Sequence, residues 1–484
     1  MKKVISSLLV LSMVLFTTVA KADNLTAEQA KAIGAHYMAY QTGVDKITPA
    51  ALTLIYQYEN PDMEAVSAYV FNVASCGWVI VAGSSVVEPI IAFSDEGSLD
   101  MDNIPDNMRW WMEGYTGAIA EVQLLDAEND YPDNEEYIKL LKQGVKNGTK
   151  EERIVLMSTQ WAQGANTNPT YNYFCPVWNN RYCVTGCVAT ALSQICKYYE
   201  YPVRPKKGVV STVFHGEYLK INLDTVSFNY SKMPKKLKSS TPLDTVKEVA
   251  MLSYSLGVTV QMDYDPDGSA ASSETAKNQM KIKFKYQQGT FRQRNGTTDT
   301  NYVNTIRRNL MAGDVIYMHG ASSTGGGADA SGHAWVADGY MREDTKKYHM
   351  NWGWAGSGDG FFNLADNSMR PTGTGYNFNV SQGVILNMLP PEDSNIHHQH
   401  VAIREVDNAT VLGTAYPNPA TMSVTLPYTT ETVSDLQVFG IDGKLVATRR
   451  VQPGCGEVTL RVDALPKGIY IYRMNGQSGK FIVR

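Results

Sequence analysis

The segment Thr185 to Pro202, TGCVATALSQICKYYEYP, constrains the fold more than any other stretch of the chain. Its apolar residues fall at Val188, Ala191, Leu192, Ile195 and Tyr199, which is helical spacing, and Tyr201-Pro202 closes the run. Cys187 is therefore expected at a helix N-terminus. The unpaired N–H groups and the dipole there favour a thiolate, the form of sulfur that attacks a carbonyl carbon. Gly186 lets backbone pass close to a substrate. Cys196 comes out roughly half a turn round the same helix, facing away from Cys187, and is expected to pack in the core.

A chain of 484 residues is too long for one hydrophobic core and is expected to form about three domains. Lys2, Lys3, the apolar run Val4 to Ala20 and the small-x-small triplet Ala20-Lys21-Ala22 have the form of a secretory signal, so residues 1–22 are expected to be removed. No later segment approaches the ~18 apolar residues of a membrane span. Residues 23–148 open with a helical pattern, Thr26 to Met38, begun by the capping-box residues Thr26-Ala27-Glu28-Gln29. Strand-like runs follow at Ser67 to Val73, Gly77 to Ala82 and Pro89 to Phe93, and Asn107 to Leu125 looks helical again.

Residues 149–390 make the largest unit, with the Cys187 helix early and short, glycine-separated strands late, an α+β pattern. Pro390-Pro391 opens a polar linker, 391–411, in which His397, His398 and His400 are expected to be solvated rather than to hold metal. Residues 412–484 alternate in strand fashion around the turn signals Asp442-Gly443 and Lys467-Gly468, as in a small β-sandwich.

Composition narrows the chemistry. The formal net charge is −5 with no basic field, which argues against nucleic acid as a partner. The six cysteines show no C-x-x-C spacing; Cys175 and Cys183 are near enough in sequence to pair, and no zinc or other cofactor is expected. Neither an H-E-x-x-H pair nor a G-x-S-x-G elbow occurs.

A thiolate nucleophile needs a base. Outside the linker and the N-terminal region the histidines are His215, His319, His333 and His349. His333 stands at the start of a strand-like run, entered from the glycine-rich stretch 322–331. His349 lies in another strand-like run, Tyr348 to Trp354, as a plausible core residue. Spacing alone leaves both in play.

Five segments together resemble the streptopain family of papain-like cysteine proteases: Gln160 to Gly164, TGCVATALSQICKYYEYP (185–202), MDYDPDGSAASS (262–273), GHAWVADGY (332–340) and HMNWGWAGSGDGFF (349–362). The resemblance implies a papain-like catalytic domain in which Cys187 is the nucleophile and His333 the base. It implies that the Cys187 N–H and the Gln163 amide form the oxyanion hole, that Trp352 shields the Cys–His pair, and that Ser269 and Gly332 contact substrate. Asn351 occupies the neighbourhood from which a papain-like enzyme orients its histidine. Residues 69–99 resemble the inhibitory prosegment of that family. Ala415 to Ala420 with residues 465–484 resemble the sorting domain of type IX secretion.

The expectation is thus a secreted cysteine endopeptidase of Gram-negative origin. Its partners would be protein substrates, its own prosegment as inhibitor and the secretion machinery of the outer membrane. A catalytically silent adhesin, and amidase or transglutaminase chemistry on the same dyad, are the alternatives. Maturation is expected to cut the polar connector Lys142 to Arg153, where the resemblance places the mature start near Asn147 and Lys150-Glu151 and Arg153-Ile154 are equally accessible, and to cut the 391–411 linker.

Overall fold

The computed structural model describes residues 24–42, 47–74, 77–129, 131–143, 152–294, 300–321, 332–364, 382–391, 411–412, 415–430, 433–441, 443–452, 454–475 and 477–484. The signal segment 1–22, the stretch 144–151, the glycine-rich stretch 322–331 and nearly all of the linker lie outside them. Among the described residues no helix is long and apolar enough to cross a membrane.

The N-terminal region is a four-stranded antiparallel sheet, Leu52–Glu59, Val66–Val73, Trp78–Ala82 and Ile90–Ser94, packed between two long helices. The first helix, Ala27–Thr42, is opened by a capping box: Thr26 N–H donates to Gln29 Oε1 at 2.8 Å, and Gln29 N–H donates to Thr26 Oγ1 at 3.3 Å. The second, Asp106–Asn129, covers the opposite face. The strand Leu52–Glu59 and the helix Glu135–Gln143 were not anticipated. Most of that strand's side chains are exposed or half-buried, so it gives no clean period-2 pattern, and the amphipathic helix is too short to stand out in sequence.

The next region, 152–391, places the helix Cys187–Tyr199 against one face of a second run of antiparallel strands. Their order is Gly360–Asn363, Lys347–Asn351, Gly332–Met341, Ile316–Ala321, Gly383–Leu386 and Thr290–Gln293. The two regions share one sheet. Phe93 pairs with Phe361 and Ala92 with Phe362, so Ile90–Ser94 adds directly to the edge strand Gly360–Asn363. Cys196 is fully buried, as expected; Cys175 and Cys183 are buried and unbridged. Residues 411–484 form two small sheets around a core of Val424, Leu426, Val438, Tyr472 and Phe481, a sandwich.

Charges cross the boundary between the first two regions with one polarity. The N-terminal region supplies acids and the region 152–391 supplies bases. Asp95 accepts from Arg153 at 2.6 Å, and Glu88 accepts from Lys346 at 2.7 Å with Lys347 at 4.0 Å. Arg153 is only 4% exposed, and Arg153–Val155 pairs with Gly339–Met341. This corrects one expectation. Arg153-Ile154 is not an open bond, because its backbone is spent on the sheet and its guanidinium is held by Asp95. N-terminal sequencing of the mature protein is therefore expected to find a start at or before Glu152. A start at Ile154 would mean that this strand is not formed when cleavage occurs.

Candidate active site

Cys187 occupies the first position of its helix, and Gly186 precedes it with φ +84°. A Cβ there would sit 2.7 Å from Met262 Sδ and 2.8 Å from Ser269 O, so the approach to the helix admits only glycine. The backbone N–H groups of Ala334, Val188 and Cys187 itself favour the thiolate. Burial pushes the thiol up, these three donors pull it down, and the Asp106 carboxylate pushes it up again, with a net rise. A helix N-terminus is therefore not enough by itself to leave a thiolate in this form.

His333 lies on the neighbouring strand, its backbone paired with Gly320. Side chains alternate along that strand. Ala334 and Val336 pack with the catalytic helix, while Trp335 and Ala337 pack with the N-terminal region, and His333 shares the parity of Trp335. Neither a hydrogen bond nor an ion pair joins the His333 ring to the Cys187 sulfur. Burial lowers the imidazole and Asp106 opposes that shift, with a net fall.

Cys187 and His333 thus both feel the carboxylate of Asp106, at the first turn of Asp106–Asn129. The same turn fastens to the site at two more points. Asn107 Nδ2 donates to Trp352 O at 2.8 Å. Trp110 covers Gly320 so closely that a Cβ there would lie 2.2 Å from the indole. Asp106 and Trp110 carried no signal in sequence, since a helix N-terminus with an acid and a tryptophan is common anywhere.

The remaining expected residues divide. Thr185 N–H donates to Gln163 O at 3.0 Å, which docks the Gln163 segment just ahead of Cys187. Ser269 Oγ donates to Val184 O at 2.6 Å and accepts from Asp265 N–H at 3.0 Å, so its side chain ties together the backbone before Gly186, and its carbonyl lies close to Gly186. Gly332 begins the His333 strand. Trp352 is buried against Trp335, with ring centroids 5.3 Å apart, and its indole N–H donates to Gly358 O at 3.0 Å. Asn351 is not turned to His333. Its Oδ1 accepts from Gln194 Nε2 at 2.9 Å and from Gly353 N–H at 3.2 Å, and its Nδ2 donates to Thr159 O at 2.7 Å.

The other histidines separate cleanly. His215 stacks on Trp178 with centroids 3.5 Å apart, and His319 stacks on Phe291 at 4.9 Å. His349 pairs with Asp338 at 2.6 Å beside a cavity of about 570 Å³ that Asp359 and Glu96 also line. Burial disfavours a charged His349, but Asp338, with Asp359 and Glu96, raises it overall. Asp359 accepts the Trp352 N–H at 2.9 Å, and burial lifts its carboxyl to about 7. Among the described residues no group of three or more His, Cys, Asp or Glu is arranged to hold a metal ion.

Known proteins resemble the chain in three blocks. Residues 161–362 match the model of the peptidase C10 family, residues 22–119 that of the Spi protease inhibitor, and residues 414–484 that of a secretion system C-terminal sorting domain. Streptopain of Streptococcus pyogenes is 28% identical over 350 residues, 68% of this chain and 82% of that protein. The thiol protease/hemagglutinin PrtT of Porphyromonas gingivalis is 26% identical over 384 residues, 76% of this chain and 42% of that one. Prointerpain A of Prevotella intermedia shares the fold, with a TM-score of 0.54 at 22% identity over 70% of this chain and 99% of that fragment.

Two measurements follow from the electrostatics. In the full-length precursor at pH 7, iodoacetamide is expected to alkylate Cys187 at least about tenfold more slowly than in the mature form, because the thiol is raised and no base is bonded to it. Equal rates would refute the blocked geometry. The raised carboxyl of Asp359 costs stability only where it ionises: not below its ordinary value of 3.8, increasingly up to about 7, and constantly above that. Asp359→Asn keeps an acceptor for the Trp352 N–H. Its midpoint in urea, relative to wild type, is therefore expected to rise between pH 4 and pH 8; no such rise would show that Asp359 ionises freely.

Proposed function

Starting from a chain that carries a peptidase C10 domain and is a cysteine peptidase, with an inhibitor-type prodomain and an outer-membrane sorting domain, we propose that Cys187 and His333 become its catalytic dyad once residues 23–148 have left. One observation carries this reading. The only half-buried cysteine among those described as free heads a helix, and the first turn of Asp106–Asn129 sets a carboxylate that acts on it and on His333 and a tryptophan against Gly320, the partner of His333 on the next strand.

With that turn gone, His333 swings to the sulfur side and takes the thiol proton. The thiolate adds to a substrate carbonyl, forming a C–S bond. The oxyanion is met by the Cys187 N–H and the Gln163 side-chain amide. Collapse breaks the C–N bond, the amine leaves with the proton from His333, and a thioester remains. Water, deprotonated by His333, then cleaves the thioester and restores the thiol. Trp352 and Trp335 keep bulk water from one side of the dyad. Ser269 and Gly332 offer cleft wall and backbone to an extended peptide. Asn351 stands outside the dyad.

Proteolysis is favoured over a silent adhesin because an adhesin has no use for a masked nucleophile. It is favoured over other acyl transfers because a covalently attached inhibitor guards against self-digestion. The matured protein is expected to digest casein, with E-64 abolishing the activity, and Cys187→Ala to accumulate as an uncut precursor that an active copy trims. His333→Ala is expected to lower kcat by ~10² or more. His349→Ala is expected to retain the dyad's chemistry but to lose about 3 kcal/mol of stability, since Asp338 is left buried without its partner. Casein left intact by correctly matured protein, or full activity in His333→Ala, would sink this reading.

A further inference from the structure

Gln163 rides on Gln160–Gly164, a segment that belongs to no helix or strand. A preorganised donor must be held to within ~0.5 Å, and here no backbone ladder does it. The segment is fixed by single ties instead. Gln160 N–H donates to Lys235 O at 2.7 Å, Ala355 N–H donates to Trp161 O at 3.0 Å, and the Trp161 indole donates to Pro234 O at 2.9 Å. One further tie comes from the nucleophile's own helix: Trp161 N–H donates to Gln194 Oε1 at 3.1 Å.

Gln194 lies two turns beyond Cys187 on the same helix face, and it is fully buried. A fully buried glutamine needs its amide satisfied, and both ends are. Its Nε2 donates to Asn351 Oδ1 at 2.9 Å, and Asn351 in turn holds Thr159 O at 2.7 Å and Gly353 N–H at 3.2 Å. Gly353 has φ +77°, and a Cβ there would come within 3.0 Å of Thr190, so the loop after Asn351 is pressed onto the Cys187 helix. Two amides therefore join three separate pieces of chain: the nucleophile helix, the Thr159–Gln163 approach and the Asn351–Gly353 turn.

We propose that the Gln194–Asn351 amide pair is the positioning device of the oxyanion hole, setting the Gln163 segment against Cys187, and that this is the task Asn351 performs here instead of orienting the histidine. The proposal rests on Gln163 being the oxyanion donor. Gln194 touches neither substrate nor sulfur; it acts through the Trp161 N–H, two residues before Gln163. An apolar residue of equal size would leave that N–H buried without a partner, and the segment would shift to find one.

The experiment compares Gln194→Met, Gln194→Glu, Gln163→Ala and the double variant Gln163→Ala/Gln194→Met in the matured enzyme. Peptide hydrolysis needs the oxyanion hole; alkylation of Cys187 by iodoacetamide does not. Gln194→Met is expected to lower kcat roughly 10- to 100-fold, short of the loss from deleting a donor outright, with KM within about threefold and alkylation within about twofold of wild type. Gln194→Glu keeps an acceptor for Trp161 N–H and is expected to lose less; if the Met variant does not fold, the Glu variant carries the comparison. The double variant is expected to be no slower than Gln163→Ala alone. Losses that multiply, or alkylation that falls in step with kcat, would overturn the proposal. Full kcat in Gln163→Ala would instead overturn the oxyanion role of Gln163, so the two failures are distinguishable.

Discussion

The pairing of Ile90–Ser94 with Gly360–Asn363 turns two units into one sheet. Exposed strand edges carry unpaired N–H and C=O groups and attract partners, and here the partner is supplied by the same chain. Everything about the precursor's site depends on that junction. It fixes the N-terminal sheet in line with the His333 strand, and it thereby swings the helix Asp106–Asn129 onto the face where Trp335 and Trp352 lie. The packing of Met108, Trp111, Met112 and Tyr115 against that face then brings Asn107 to Trp352 and Trp110 to Gly320.

Latency in this arrangement has two physical sources. One is geometric: the first turn of Asp106–Asn129 is fastened to Trp352 by Asn107 and packs Trp110 on Gly320, the partner of His333 on the next strand. The other is electrostatic. Burial favours a neutral thiol and a neutral imidazole, and the Asp106 carboxylate works further against the thiolate. On the imidazole it acts the other way, favouring the charged ring, so burial is the larger obstacle to a reactive ion pair.

The ionic contacts of the junction serve orientation more than adhesion. Buried pairs such as Arg153 with Asp95 repay little more than their desolvation when intact, but removing one partner is costly, by ~3–5 kcal/mol. Acids on one side and bases on the other therefore penalise a misplaced prosegment more than they strengthen a correct one. Arg153 also stands just after the stretch where cleavage is expected, so the contact closes the sheet immediately downstream of that stretch.

Local signals in the sequence determined much of this protein. The period of Val188, Ala191, Leu192, Ile195 and Tyr199 fixed the catalytic helix and put Cys187 at its first position; turn residues and alternation fixed three of the four N-terminal strands and the C-terminal sandwich. These follow from contacts within a few residues. Choosing His333 over His349, and assigning Gln163, came from motif resemblance and not from spacing. What only the tertiary structure decided was partnership across long separations. Asp106 meets residues far along the chain, Gln194 joins Trp161 to Asn351, His349 is claimed by Asp338, and Arg153 is buried instead of exposed. None of these side chains announces its partner, because a buried polar group records in the sequence only that it must be satisfied, while the sheet and helix packing determine by whom.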